Sequence, residues 1–135
     1  MELIEDDVFK IVITSNSFGI IEVMTTPSQF GDNLNGDNLN KKIRKAKNKI
    51  KESKDKLCTY IFVFPINTIG AKEREKLEKF KFEYQNYVSI KFYDYQTTET
   101  FIQEVIKLHP KIETENDLVS HIQSIRSKYL GRSIN

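Results

Sequence analysis

The sequence predicts an α/β chain built on a mixed β-sheet, and three observations lead there. Two β-branched apolar runs, "VFKIVIT" (8–14) and "FGIIEVMTT" (18–26), face each other across Ser15, Asn16 and Ser17, which reads as an antiparallel hairpin. Further along, "LCTYIFVFPI" (57–66) is continuously apolar, the pattern of a strand covered on both faces. Between and after these runs lie segments whose apolar residues recur at helical spacing. The order is β-β-α-β-α-β-α-α, and a hairpin followed by βαβ crossovers requires a mixed sheet flanked by helices.

The loop after the hairpin, "PSQFGDNLNGDNLN", repeats a pentapeptide at 31–35 and 36–40. Asp32 and Asp37 lack the alternating acids, mid-loop glycine and terminal glutamate of a calcium-binding EF-hand, so the repeat reads as a duplication in a tolerant surface loop. From 39 to 54 the chain reads as a helix, with Leu39, Ile43, Ala46 and Ile50 on one narrow apolar stripe. "AKEREKLEKFKFEYQN" (71–86) is a charged helix with Leu77, Phe80 and Tyr84 as its core face. "YVSIKFYDY" (87–95) alternates at Val88, Ile90 and Phe92, which suits a strand. "TTETFIQEVIKL" (97–108) is helical and stops at His109 and Pro110. A Thr114-x-x-Asp117 capping signal opens a last helix, carried through Tyr129 and ended by Gly131.

The 135 residues form one domain, with a main unit over about 5–110 and the C-terminal helix over about 115–130. Charged residues make up 30% and hydrophobic ones 39%, the balance of an ordinary globular chain, and a net charge of +2 gives no global field toward nucleic acid. The lone Cys58 sits in the most apolar run, where it reads as a small buried hydrophobe in a reducing cytoplasm. The N-terminus "MELIEDDVF" has no apolar secretory region, and "YIFVFPI" is far too short to span a bilayer. A cytoplasmic protein with no membrane partner is the expectation.

One residue breaks the pattern. Glu22 sits inside the apolar run "FGIIEVMTTP", where an ionised carboxylate is costly unless something pairs with it or coordinates it. A turn centred on Asn16 would set Lys10 directly opposite Glu22 on the same face, a plain cross-strand ion pair. Lys41 and Lys42, at the start of the next helix, are also placed to reach in. On that register Asp7 is diagonal to Glu22, with Asp6 or Glu5 as rival neighbours, and a bulge would bring Asp7 opposite.

The same stretch resembles the PD-(D/E)XK nuclease superfamily, which includes many restriction enzymes. Asp7 precedes "VFKIVIT", fourteen residues separate it from Glu22, and Ile21-Glu22-Val23-Met24 stands where the family writes I-E-V-K. The basic helix and "LCTYIFVFPI" follow in the family's order, so the resemblance covers about residues 5–66. It implies a restriction-endonuclease-like fold and a metal-dependent phosphodiesterase, with Asp7 and Glu22 holding Mg²⁺ or Mn²⁺ through hard oxygen ligands. The motif lysine, which would share the face of the Glu two residues earlier, is Met24 here. Met24 carries no charge and moves no proton, which argues against ordinary activity and leaves Lys10 as a relocated ammonium. The implied protein is therefore either a nuclease or a degenerate member that binds nucleic acid without cutting. Restriction, mobile-element and phage-defence systems are the usual setting of such domains.

The strongest local charge feature is the basic helix, with Lys41, Lys42, Arg44, Lys45, Lys47, Lys49 and Lys51 and no acidic residue until Glu52. Its structural reading is a solvated outer face. Its functional reading is salt-dependent phosphate contact, chiefly through Lys41, Lys42, Arg44, Lys45 and Lys49. Tyr84, Tyr87, Tyr93 and Tyr95 flank a strand and could stack bases, although half-buried aromatics are ordinary there. His109 and His121 have no second ligand at metal spacing. The rival class is a non-enzymatic protein-interaction module with a small mixed sheet of the STAS type, in which Glu22 is structural and the basic helix meets a protein partner. Finally, Leu118, Ile122, Ile125 and Tyr129 form a stripe that either covers the sheet of its own subunit or docks a second copy as a homodimer.

Overall fold

The computed structural model describes residues 2–5, 8–24, 37–53, 55–108 and 113–134. Its strands are β1 (Glu2–Glu5), β2 (Val8–Thr14), β3 (Ser17–Val23), β4 (Leu57–Val63) and β5 (Ser89–Tyr93), and its helices are α1 (Asp37–Glu52), α2 (Ala71–Tyr84), α3 (Thr98–Leu108) and α4 (Glu113–Ile134). They form an α/β architecture around one sheet in the order β1-β2-β3-β4-β5. The first three strands are antiparallel neighbours, and β4 and β5 continue parallel to β3.

The helices cover both faces, for reasons of connection and pattern. Both parallel steps move the same way across the sheet, and crossovers of one hand then place their helices on one face. Accordingly α1 and α2 share a core with the even-numbered side chains of the central strands, including Ile20, Tyr60, Phe62 and Ile90. The opposite face packs α3 and α4 against Phe9, Ile11, Ile21, Val23 and Val63. β4 sits between β3 and β5 with helices above and below, which is why its apolar run is continuous. The stripe of Leu39, Ile43, Ala46 and Ile50 is buried, as are Leu77 and Phe80, while Tyr84 is half-buried against them. Phe62 joins the two helices' contributions, with its ring 6.2 Å from that of Phe80.

Several expectations need correction. A strand, β1, precedes the hairpin. It is four residues long and carries Glu at both ends, so it lacks the β-branched alternation that marks a strand, as short charged edge strands do. The hairpin turn is the two-residue Ser15-Asn16, with Thr14 paired to Ser17, and an irregularity between Val12 and Thr14 shifts the pairing by one more, so the register beyond it slips by two from the one centred on Asn16. Lys10 therefore stands opposite Ile20, and Val8 stands opposite Glu22. Thr14 fixes this turn: its Oγ1 lies 2.7 Å from Ser17 Oγ and accepts from Asn16 N at 3.2 Å. Cys58 is half-buried rather than enclosed. α4 starts at Glu113, one residue before the expected cap, and runs through Gly131, since glycine weakens a helix without compelling it to stop.

The stripe on α4 lies in its own subunit's core. Leu118, Ile122 and Ile125 are buried against Phe9, Ile21 and Phe101, which removes the case for a dimer through this helix. The side chain of Tyr129 and the placement of His109 lie outside the described residues. Among the described residues no helix is long and apolar enough to cross a membrane.

Candidate functional site

Strand parity decides where Glu22 points. It shares a face with Ile20 and Met24, and that face is roofed by α1. The side chain is enclosed, with the residue 2% exposed. Two partners offset the desolvation. Tyr60, on the neighbouring strand β4, donates its phenolic O–H to Glu22 Oε1 at 2.7 Å. Lys42, in the second turn of α1, sets its Nζ 3.1 Å from Glu22 Oε2. A hydroxyl and an ammonium thus converge on one carboxylate, and both bonds are charge-assisted. The triad ties β3, β4 and α1 together.

Lys10 does not take part in this triad. The slipped register carries it toward the hairpin end, where its Nζ lies 4.5 Å from the centre of the Phe18 ring. Its assignment beside Glu22 is therefore replaced by Lys42. Asp7, the other expected metal ligand, lies outside the described residues. Met24 is fully buried in the core shared with Leu39 and Phe64, and its backbone N–H donates to Val63 O at 2.9 Å. A lysine there would bury its ammonium among apolar side chains, so packing accounts for the methionine.

With Asp7 outside the described residues, Glu22 is seen engaged by a hydroxyl and an ammonium. Both oxygens of Glu22 already have partners, and an ammonium 3.1 Å away repels a second positive charge. Among the described residues no group of three acidic, histidine or cysteine side chains converges as metal ligands would.

The basic helix divides its cations by direction. Lys42 turns inward to Glu22, and Lys47 bridges to Glu83 of α2 at 3.1 Å. Lys41, Arg44, Lys45 and Lys51 are exposed along the outer flank, and among the described residues none of these four has an ion-pair partner. Lys49 is half-buried between the two sets. The tyrosines divide likewise. Tyr93 donates its O–H to Glu104 Oε2 at 2.9 Å, and burial, with help from that bond and the Glu104 charge, pushes its pKa up to about 12. Tyr95 lies under Arg126, whose guanidinium is 5.5 Å from the ring centre. Tyr87 is the most exposed of the four, at 76% against 43% for Tyr95.

One buried acid escaped the sequence reading. Asp94, just after β5, accepts from Gln96 N, Thr97 N and Thr97 Oγ1 through Oδ1, and from Ile69 N through Oδ2. Thr98 Oγ1 donates back to Asp94 O at 2.6 Å. This network fixes the loop entering α2 to the loop entering α3, and it fills the carboxylate's acceptor positions. The signal was present in Asp94-x-x-Thr97-Thr98, an acid and hydroxyls just before a helix start.

No family model, no curated protein and no solved structure matches this chain.

Proposed function

We propose that this chain is a nucleic-acid-binding domain of the PD-(D/E)XK type that holds the phosphate backbone without cutting it. The observation that carries the reading is the outer flank of α1, where Lys41, Arg44, Lys45 and Lys51 are exposed without carboxylate partners among the described residues. Surface helices ordinarily mix both signs of charge, and α2 does so, with four glutamates among its lysines and arginine. A one-sided row of cations suits a polyanion. The order of β1, β2, β3, α1 and β4 supports the nuclease-like assignment, since it sets Glu22 and the basic helix beside each other. Engagement of Glu22 by Tyr60 and Lys42 supports binding over turnover.

The test is binding of single- and double-stranded DNA and RNA by fluorescence anisotropy across a salt series. Wild-type protein binds all of them loosely, and affinity falls steeply as salt rises. The triple variant Lys41→Glu, Arg44→Glu, Lys45→Glu lowers the slope of log affinity against log salt by about 2–3, at roughly 0.7–0.9 per phosphate contact. Lys42 stays in place in this variant, because replacing it would disturb the Glu22 triad. Absence of binding to every one of these probes at low salt would overturn the reading and favour a protein partner for this face.

A further inference from the structure

We infer that the domain selects single-stranded over double-stranded nucleic acid by stacking an unpaired base on Tyr87, an inference that rests on the phosphate-binding reading of α1. Tyr87 stands between two hollows. One, of about 350 Å³, is lined by Ile50, Lys51, Asp55, Tyr84, Asn86 and Tyr87 itself. The other, of about 260 Å³, shares Asn86 and Tyr87 and adds Lys81, Gln85 and Ser89. An exposed residue thus borders open space in two hollows, with a lysine lining each.

The ring is presented on a fixed backbone. Tyr87 N and Val88 N both donate to Tyr84 O at 2.9 Å, and Val88 is buried immediately after, so the turn cannot swing freely. Tyr84 is anchored in turn by an edge contact to Phe80, with ring centres 5.4 Å apart. On a fixed backbone an aromatic has only its two side-chain torsions to settle on stacking, and a base offers a π-face whatever its identity.

Charge and position then name the occupant. Lys51 belongs to the outer row of α1 and also lines the larger hollow, so the phosphate track of α1 leads to the ring. Lys81 continues it on the far side. Asp55 is the acidic member of the larger hollow, and its carboxylate is an acceptor for the exocyclic amino group of a stacked base. A duplex keeps its bases stacked inside and can engage only the cations. A single strand engages cations and ring together.

The experiment compares a single-stranded oligonucleotide of about ten residues with a duplex of the same length. Wild-type protein binds the single strand more tightly. Tyr87→Ala weakens single-strand binding by roughly tenfold or more and leaves duplex affinity unchanged. Tyr87→Phe keeps the ring face and stays near wild type. If Tyr87→Ala binds the single strand as wild type does, while the α1 triple variant still weakens both, the stacking inference is wrong and the phosphate reading survives. A Tyr87→Phe variant as weak as Tyr87→Ala would likewise overturn stacking, since the hydroxyl would then be the contact. If neither probe binds wild-type protein, the phosphate reading fails and takes this inference with it.

Discussion

At Glu22 the two carboxylate oxygens have unlike partners, and that difference sets what each substitution does. Lys42 is 24% exposed along its side chain, so its ammonium can reach water if Glu22 is neutralised. Glu22 has no such outlet. Lys42→Met therefore leaves a buried carboxylate without its counter-charge and destabilises the protein by about 2–4 kcal/mol, whereas Glu22→Gln costs about 1 kcal/mol. The double variant Glu22→Gln, Lys42→Met recovers most of the loss, because the amide oxygen still accepts from Tyr60 and no charge is stranded. Urea unfolding of the four proteins measures this, and simple additivity would show that the pair is not coupled. Tyr93 gives a second prediction. Its folded pKa of about 12 lies above its ordinary value of 10.0, so between these pH values the unfolded chain ionises first. The stabilisation is complete below about pH 10 and is lost as pH rises toward 12. Tyr93→Phe should flatten the fall in the urea midpoint between pH 10 and 11, and an unchanged slope would assign that fall to other groups.

Among the elements, β3 and β4 pack with no room for a side chain at Gly19. A Cβ on Gly19 would fall 2.5 Å from Thr59 Cγ2, and the Thr59 rotamer is held by its own bond from Oγ1 to Ser89 O at 3.0 Å. Gly19→Ala should therefore cost about 1–3 kcal/mol by overpacking. Adding Thr59→Ser removes the methyl, keeps the hydroxyl and should restore most of that loss. Thermal unfolding of the single and double variants decides it, and no rescue would place the strain elsewhere. The elements were largely legible in the sequence because their periods are distinct: alternation for β5, a four-residue stripe for α1, a continuous run for β4. The hairpin shows where legibility stops. Side chains in a strand repeat every two residues, so a register slip of two kept Glu22 on its face and changed only its cross-strand neighbour, from Lys10 to Val8. Lys42 as the true partner depends on how α1 is rotated over the sheet, and pattern alone does not fix that rotation. Lys41 and Lys42 were both in reach by position, and docking selected Lys42. Asp94 was hidden for the same reason, and Tyr87 could not be told apart from the other three candidate tyrosines, since a loop's bonding network and a turn's exposure arise only after the elements pack.

For the whole molecule the question is whether one copy closes its own core. The face carrying Phe9, Ile11, Ile21 and Val23 would stand bare without α3 and α4, and a bare apolar sheet face of that kind recruits a partner. α4 supplies the cover from the same chain, with Leu118 and Ile122 fully buried and Ile125 nearly so. The stripe at spacings of four and three is thus complete within a single subunit, and the chain should behave as a species of 15.8 kDa in light scattering. Ile122 tests this more sharply than mass alone. Ile122→Ala opens a cavity between α4 and the sheet and should cost about 2–5 kcal/mol. Because the contact is intramolecular, the unfolding midpoints of wild type and variant should not change with protein concentration. A midpoint that climbs with concentration in the wild type, and a mass that doubles with it, would mean that α4 covers a second copy instead of its own sheet.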